Sequence, residues 1–286
     1  MKVAILGTEN SHAFAFAKYI KEDPAFSDIE LIGVYGYDDT ANGRLLKAGL
    51  APYAAKDPHE FLGKADAVLV TARHGEHHYE YALPYIKQGC AAFIDKPFTV
   101  ELDHAQEMID CAQNSGALIC GGSSLKFLAG LQPLREFAES NKLLGGYAGA
   151  PIDMVNPYAG FFFYSQHLVE MMFTVFGSGV KAVTAYCPDE TKKRVSVIFD
   201  YGEFDVMGQY TSSYAYTVSV YAEKETRSIY THDLGDCFKQ ELLEFRQMVL
   251  SGKRPHEYEE LIKPVKILNA IYKSYTEGRR IEIQED

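Results

Sequence analysis

Asp95-Lys96-Pro97 directly follows the apolar run Ala91-Ala92-Phe93-Ile94, in a chain that opens Lys2-Val3-Ala4-Ile5-Leu6-Gly7. A lysine where a buried strand emerges is a cation at the carboxyl edge of a sheet, the edge at which open α/β sheets bind ligands. Such a cation can hold an oxygen and stabilise charge developing on it, although the same triplet also suits a solvated turn. His167 is the second candidate, in Gly160-Phe161-Phe162-Phe163-Tyr164-Ser165-Gln166-His167-Leu168-Val169-Glu170, a helix whose apolar residues continue through Met171, Met172 and Val175. Glu170, one turn away, could orient the ring as a general base near neutral pH. The bland alternative is a satisfied core histidine beside a core aromatic run.

The turn Gly7-Thr8-Glu9-Asn10-Ser11-His12 stands where a dinucleotide's pyrophosphate would meet the amides of a helix start. Of the glycines in Gly-x-Gly-x-x-Gly it keeps Gly7, while Glu9 and His12 hold the other two positions. Glu9 obstructs close backbone approach and repels a diphosphate; Asn10 tolerates tight backbone conformations, and Asn10 and Ser11 can donate hydrogen bonds. After Leu31-Ile32-Gly33-Val34-Tyr35, Gly36 occupies the place of a ribose-holding acid. Asp38 arrives two positions late, either to reach the ribose hydroxyls or to begin a turn. No arginine at the strand end favours a 2′-phosphate, so NAD is expected, with NADP as the alternative. Thr71-Ala72-Arg73-His74-Gly75-Glu76-His77-His78 follows the third central strand. Its loop-to-helix position argues against a preformed metal site, so the histidines are expected to be solvated or ligand-facing, with no metal.

Two kinds of element must carry these residues. To about residue 120, short apolar runs (Val3-Leu6, Leu31-Tyr35, Ala67-Thr71, Ala92-Ile94, Leu118-Cys120) alternate with helical segments (Ala13 to Lys21, Gly43 to Leu50, His77 to Gln88, Leu102 to Asn114), the pattern of parallel βαβ units. Beyond 123, aromatic and threonine-rich alternation at Val180-Tyr186, Arg194-Phe199, Glu203-Tyr210, Ala215-Ala222 and Arg227-Thr231 predicts a mostly antiparallel sheet with one covered face. Helices Phe238-Leu250 and Leu261-Thr276 close the chain. The expected class is α/β: a Rossmann-type domain over 1–122, then an α+β substrate-binding and oligomerisation domain over 123–286, with a closing helix able to pack back on the first domain.

The chain has 286 residues, 47% hydrophobic and 23% charged, with a formal charge of −11. Excess acid and the lack of a basic block argue against nucleic acid as a partner. No apolar stretch suits a membrane span or a secretory signal, so a cytoplasmic protein is expected. The five cysteines are scattered, without a Cys-x-x-Cys pair, as expected of reduced thiols.

In order and spacing these residues resemble the Gfo/Idh/MocA oxidoreductase family nearly end to end. Gly7 is similar to the first glycine of its Rossmann turn, Thr71-Ala72-Arg73 with His77 to its Thr-Pro-Asn-x-x-His loop, and Asp95-Lys96-Pro97 to its Glu-Lys-Pro signature. Gly121 to Phe127 resembles the strand leading to its Arg-Phe pair, and His167 the histidine of Gly-Gly-x-x-x-Asp-x-x-x-His. Phe245-Arg246-Gln247-Met248 through Pro255, then Ala270 to Ser274 and Gly278-Arg279-Arg280, resemble its tail. The resemblance implies catalysis by Lys96 and His167, with His167 taking a hydroxyl proton and Lys96 holding the oxygen. It implies a nicotinamide cofactor held by Gly7, Thr8, Glu9, Asn10, Ser11, Asp38, Thr71, Arg73, His74, His77, Asp95 and Lys96. A sugar, polyol or related small molecule would be the substrate, and a homodimer or homotetramer the assembly. The family acid four residues before the histidine falls at Phe163, so Tyr158 or Tyr164 would supply a hydroxyl to the substrate instead. These departures keep two further readings open, a ligand-sensing or regulatory protein without catalysis, and an NAD-assisted glycosidase or lyase.

Overall fold

The computed structural model describes residues 1–284 apart from Glu190 and Lys192. Its contacts divide the chain into two units: Met1–Gly122 with Phe238–Leu261, and Ser123–Cys237 with the chain from Ile262 onward.

The first unit alternates β1 (Lys2–Leu6), α1 (Ser11–Glu22), β2 (Glu30–Tyr35), α2 (Asp39–Lys47), β3 (Ala67–Val70), α3 (Gly75–Lys87), β4 (Ala91–Asp95), α4 (Leu102–Ser115) and β5 (Ile119–Gly122). The strands form one parallel sheet in the order β2-β1-β3-β4-β5. Strands β3 and β4 are buried along their whole length, which is why they read as unbroken apolar runs rather than alternating ones. Both end at the edge that carries the candidate loops. On one face Phe16 of α1 meets Phe93 of β4 edge-on, with ring centroids 5.4 Å apart.

The second unit adds α5 (Leu131–Glu139), β6 (Leu143–Pro151), α6 (Phe162–Phe176), β7 (Ala182–Tyr186), β8 (Val195–Asp200), β9 (Asp205–Thr211), β10 (Tyr216–Ala222) and β11 (Thr226–Thr231). Then α7 (Cys237–Ser251) lies mostly in the first unit, α8 (Tyr258–Glu277) runs from the first unit's last residues into the second, and β12 (Ile281–Glu282) ends the element order. The second sheet runs β11-β10-β6-β9-β8-β7-β12. It is antiparallel except that β6 and β9 are parallel. Helix α6 covers one face; the other presents Tyr186, Ile198, Met207, Tyr221 and Tyr230 outward.

The central strand β6 was absent from the sequence expectation because Leu-Leu-Gly-Gly-Tyr-Ala-Gly-Ala-Pro lacks the β-branched signature. Packing explains the composition. A Cβ on Gly146 would stand 2.3 Å from the Phe176 ring, so a small residue here lets α6 sit close on the sheet. Helix α7 joins the first unit's core through Leu242, Phe245 and Met248. Ion pairs of Lys239 with Asp23 and Arg246 with Asp28, both 2.7 Å, hold it there.

Candidate active site

The first turn needs glycine for steric reasons. Gly7 has φ +100°, and a Cβ there would lie 2.2 Å from the Ala72 nitrogen. Its amide donates to the Tyr35 carbonyl (2.7 Å) and its carbonyl accepts from the Thr71 hydroxyl (2.9 Å), tying the ends of β1, β2 and β3 together. The buried Thr8 hydroxyl donates to Asn42 Oδ1, and Asn42 Nδ2 donates to the Gly36 carbonyl, both at 2.7 Å. A Cβ on Gly36 would stand 2.0 Å from Thr8 Oγ1. The position where an acid was sought therefore has no room for any side chain. Asp38 is half-buried and caps α2, its Oδ1 accepting from the Thr40 amide at 2.8 Å.

Glu9 is turned toward the loop after β3, where its Oε1 accepts from the Arg73 amide at 3.1 Å. Burial raises its carboxyl above the ordinary range, opposed by the amides of Glu9 and Arg73 and by the charges of His77 and Arg73. Asn10 caps α1, accepting from the His12 amide at 3.4 Å, and Ser11 is exposed at the first helical position. The first turn of α1 contains no acid. Helix amides, a hydroxyl and an obligatory glycine suit a diphosphate at this helix start, with Glu9 drawn aside to Arg73.

The histidine loop splits into different roles. His74 caps α3, its Nδ1 accepting from the Glu76 amide at 3.2 Å, and burial lowers its pKa. His77 lies 3.1 Å from Glu80 and stacks on Tyr81 with centroids 5.4 Å apart. His78, expected to be solvated or ligand-facing, is instead fully buried. Its two ring nitrogens lie 2.7 Å from the carbonyl oxygens of Pro97 and Ala72, stapling the loop after β4 to the loop after β3. Burial lowers its pKa, opposed by Asp95 and the two carbonyls. Among the described residues no group of three His, Cys, Asp or Glu side chains is arranged to hold a metal ion.

Asp95 is the hub of the first unit's site. Its Oδ1 accepts from the Lys96 amide (2.7 Å); its Oδ2 accepts from Asn10 Nδ2 (3.0 Å) and lies 2.7 Å from His12 Nδ1. Burial pushes the carboxyl up, but His12 first and then Lys96 and His78 hold it below the usual carboxylate range. Lys96 is 4% exposed. Burial lowers its pKa, Arg73 adds to that, and Asp95 and Glu241 oppose it. His12 and Glu241 were missing from the sequence reading. His12 had one signal, an imidazole in the third glycine position; its pairing with an acid 83 residues away had none.

His167 is placed in the second unit by α6 and by the segment after β5. The ring is 5% exposed, and its Nδ1 lies 2.6 Å from the Ser123 hydroxyl. Glu170, expected to orient the ring, holds the residue that meets it: its Oε1 accepts from the Ser123 amide (2.8 Å) and from Gln166 Nε2 (2.5 Å). The Tyr164 ring stands edge-on to His167 at 5.2 Å, the buried Tyr216 ring at 6.3 Å. The hydroxyls of Tyr164 and Tyr214 are hydrogen-bonded to each other. Phe163, in the place of the family acid, packs between Tyr158 and Tyr164, with centroids 5.1 and 5.0 Å away. Burial raises the Tyr216 phenol, so it stays protonated.

Residues 1–122 match the model of an oxidoreductase family described as Gfo/Idh/MocA, NAD-binding Rossmann fold. No curated protein sequence matches the chain. Solved structures similar in fold include GenD2 from gentamicin A biosynthesis in complex with NAD, at 16% identity and TM-score 0.87 over 100% of this chain and 97% of that one. Myo-inositol 2-dehydrogenase from Lactobacillus plantarum superposes at TM-score 0.86 with 12% identity, over 99% of both chains. The WlbA dehydrogenase from Chromobacterium violaceum, solved with NADH and UDP-GlcNAcA, gives TM-score 0.81 and 15% identity over 100% of this chain and 96% of that one. No helix of the described residues is long and apolar enough to cross a membrane.

Proposed function

We propose that this chain, whose residues 1–122 match the NAD-binding Rossmann-fold model of the Gfo/Idh/MocA oxidoreductases, interconverts a carbinol and a carbonyl on a sugar, polyol or related small molecule. One observation carries the reading: Asp95 links Asn10, the cap of α1 in the cofactor turn, to the backbone of the buried Lys96. The turn suited to a diphosphate and the cation suited to a reacting oxygen are one hydrogen-bonded unit.

Gly7, Thr8, Asn10 and Ser11 would hold the diphosphate at the start of α1, with Glu9 fixed against Arg73. Asp38 would face the ribose, and Thr71, Arg73, His74 and His77 the same cofactor, which when bound supplies the two-electron acceptor. Asp95 fixes the backbone of Lys96, whose ammonium holds the substrate oxygen and stabilises its negative charge. His167 accepts the hydroxyl proton, its other nitrogen kept in place by Ser123. Tyr158 and Tyr164 would contact the substrate. We assign NAD ahead of NADP, and a homodimer or homotetramer built on the exposed tyrosine-bearing face of the second sheet.

The test begins with thermal unfolding of the purified protein in NAD, NADH, NADP and NADPH separately. A ligand at a hundred times its dissociation constant should stabilise the fold by roughly 2.7 kcal/mol. Sugars and cyclitols are then screened for nicotinamide reduction. A selective shift with turnover supports the assignment; no shift and no nucleotide carried through purification would reject it in favour of a sensor.

A further inference from the structure

Helix α7 carries Phe238, Glu241 and Phe245 at the three- and four-residue spacing of a single helix face. Its two aromatic residues locate that face. The Phe238 ring lies 4.2 Å from the ring of His12, whose Nδ1 is the close partner of Asp95. Phe245 meets Phe93 at 6.2 Å, two residues before Asp95 on β4. Glu241, between them, therefore faces the carboxyl end of β4. It is 1% exposed, and both carboxylate oxygens are shut off from solvent. Burying a carboxylate is costly unless a cation meets it, and Lys96 is a buried cation of the same strand end on which its charge acts.

We propose that Glu241 is a positioning residue for the reaction, the buried counter-charge that keeps Lys96 an ammonium and fixes it for the reacting oxygen. This role rests on the assignment of Lys96 made above. The charged or titratable groups of this unit that act on Lys96 include Asp95 from β4, Arg73 from the loop after β3, His78 from α3 and Glu241 from α7. Asp95 already accepts from the Lys96 amide with one oxygen and serves Asn10 and His12 with the other. Of the charges that oppose burial and Arg73 at Lys96, Asp95 acts most strongly and Glu241 adds to it from α7. Without its charge Lys96 loses its proton at lower pH, and an uncharged amine stabilises an alkoxide poorly.

The experiment is an NMR titration of protein labelled with 13Cε-lysine, the Lys96 resonance being identified by its disappearance in Lys96→Arg. Wild type, Glu241→Gln and Glu241→Asp are titrated alongside pH profiles of turnover. The Lys96 midpoint is expected to fall by about one unit or more in Glu241→Gln, a tenfold change in the ionisation equilibrium, and to recover most of that in Glu241→Asp. The alkaline limb of turnover should move with it. An unchanged midpoint in folded Glu241→Gln overturns the role, as does a shifted midpoint with an unmoved turnover profile. Should Glu241→Gln fail to fold, a Glu241→Asp midpoint equal to that of wild type overturns it. The titration needs no substrate, so a protein without oxidoreductase activity would defeat the functional reading while the Glu241–Lys96 coupling is still read.

Discussion

The two units surround their candidate reactive groups in opposite ways. At the end of β4 the first unit gathers Asn10, His12, His78, Asp95, Lys96 and Glu241, all buried, so each charge is defined by the others. Around His167 the second unit sets one hydroxyl, from Ser123, and the edges of tyrosine rings. Buried ion pairs make a rigid field but are fragile to the removal of one partner. The His167 ring is met by a neutral hydroxyl. The proposed reaction, in which a cation fixes an oxygen and a base moves a proton, calls on both.

The comparison can be broken most directly at its two reactive groups. Lys96→Ala or His167→Ala in folded protein should lower turnover by about 10²–10⁴-fold, read by steady-state kinetics beside circular dichroism; full activity in both variants would reject the assignment. Next, the first unit should tolerate loss of a buried polar group badly. His78→Ala leaves the carbonyls of Ala72 and Pro97 without their staple and should cost roughly 2–4 kcal/mol in denaturant unfolding. Ser123→Ala, the corresponding change in the second unit, should cost about 1 kcal/mol while reducing kcat severalfold through a poorly oriented imidazole. Equal stability losses would mean the two sites do not differ in rigidity.

Gly36→Ala sharpens the account of the cofactor turn. A Cβ would press on Thr8 Oγ1 from 2.0 Å, so a loss of roughly 1–3 kcal/mol is expected; an unaffected melt would mean the Thr8–Asn42 pair is easily displaced. The smallest effect is expected at Glu9. Because burial raises its carboxyl in the folded chain, the folded state binds that proton more tightly than the unfolded one. Stability is therefore full below the ordinary carboxylate range and falls as pH rises through the folded value. Glu9→Gln should stabilise at neutral pH, with the gain fading in acid, and should tighten nucleotide binding by roughly 3–10-fold through loss of one negative charge. Unchanged affinity in calorimetry would mean that the Glu9 charge does not reach the bound diphosphate.

The parallel sheet was legible because its buried strands are written as contiguous apolar runs. Lys96 and His167 were proposed from residue type and position, and their roles from resemblance. Strand β6 was invisible because it lacks β-branched residues and its Gly146 answers to the ring of Phe176, a partner remote in sequence. Gly36 read as a missing acid until Thr8 was seen to occupy the space. Helical spacing pointed to Glu170 beside His167, while Ser123, outside the helix and reaching the ring, left no such signal.

The amino-acid order alone determined local properties: where the chain extends or coils, and which chemical groups stand at the strand ends. These follow from backbone sterics and apolar periodicity acting over a few residues. Tertiary structure alone decided which charges meet, bringing Asn10, His12 and Glu241 to the strand end that carries Asp95 and Lys96. Burial makes those meetings strong, and burial belongs to the packed chain.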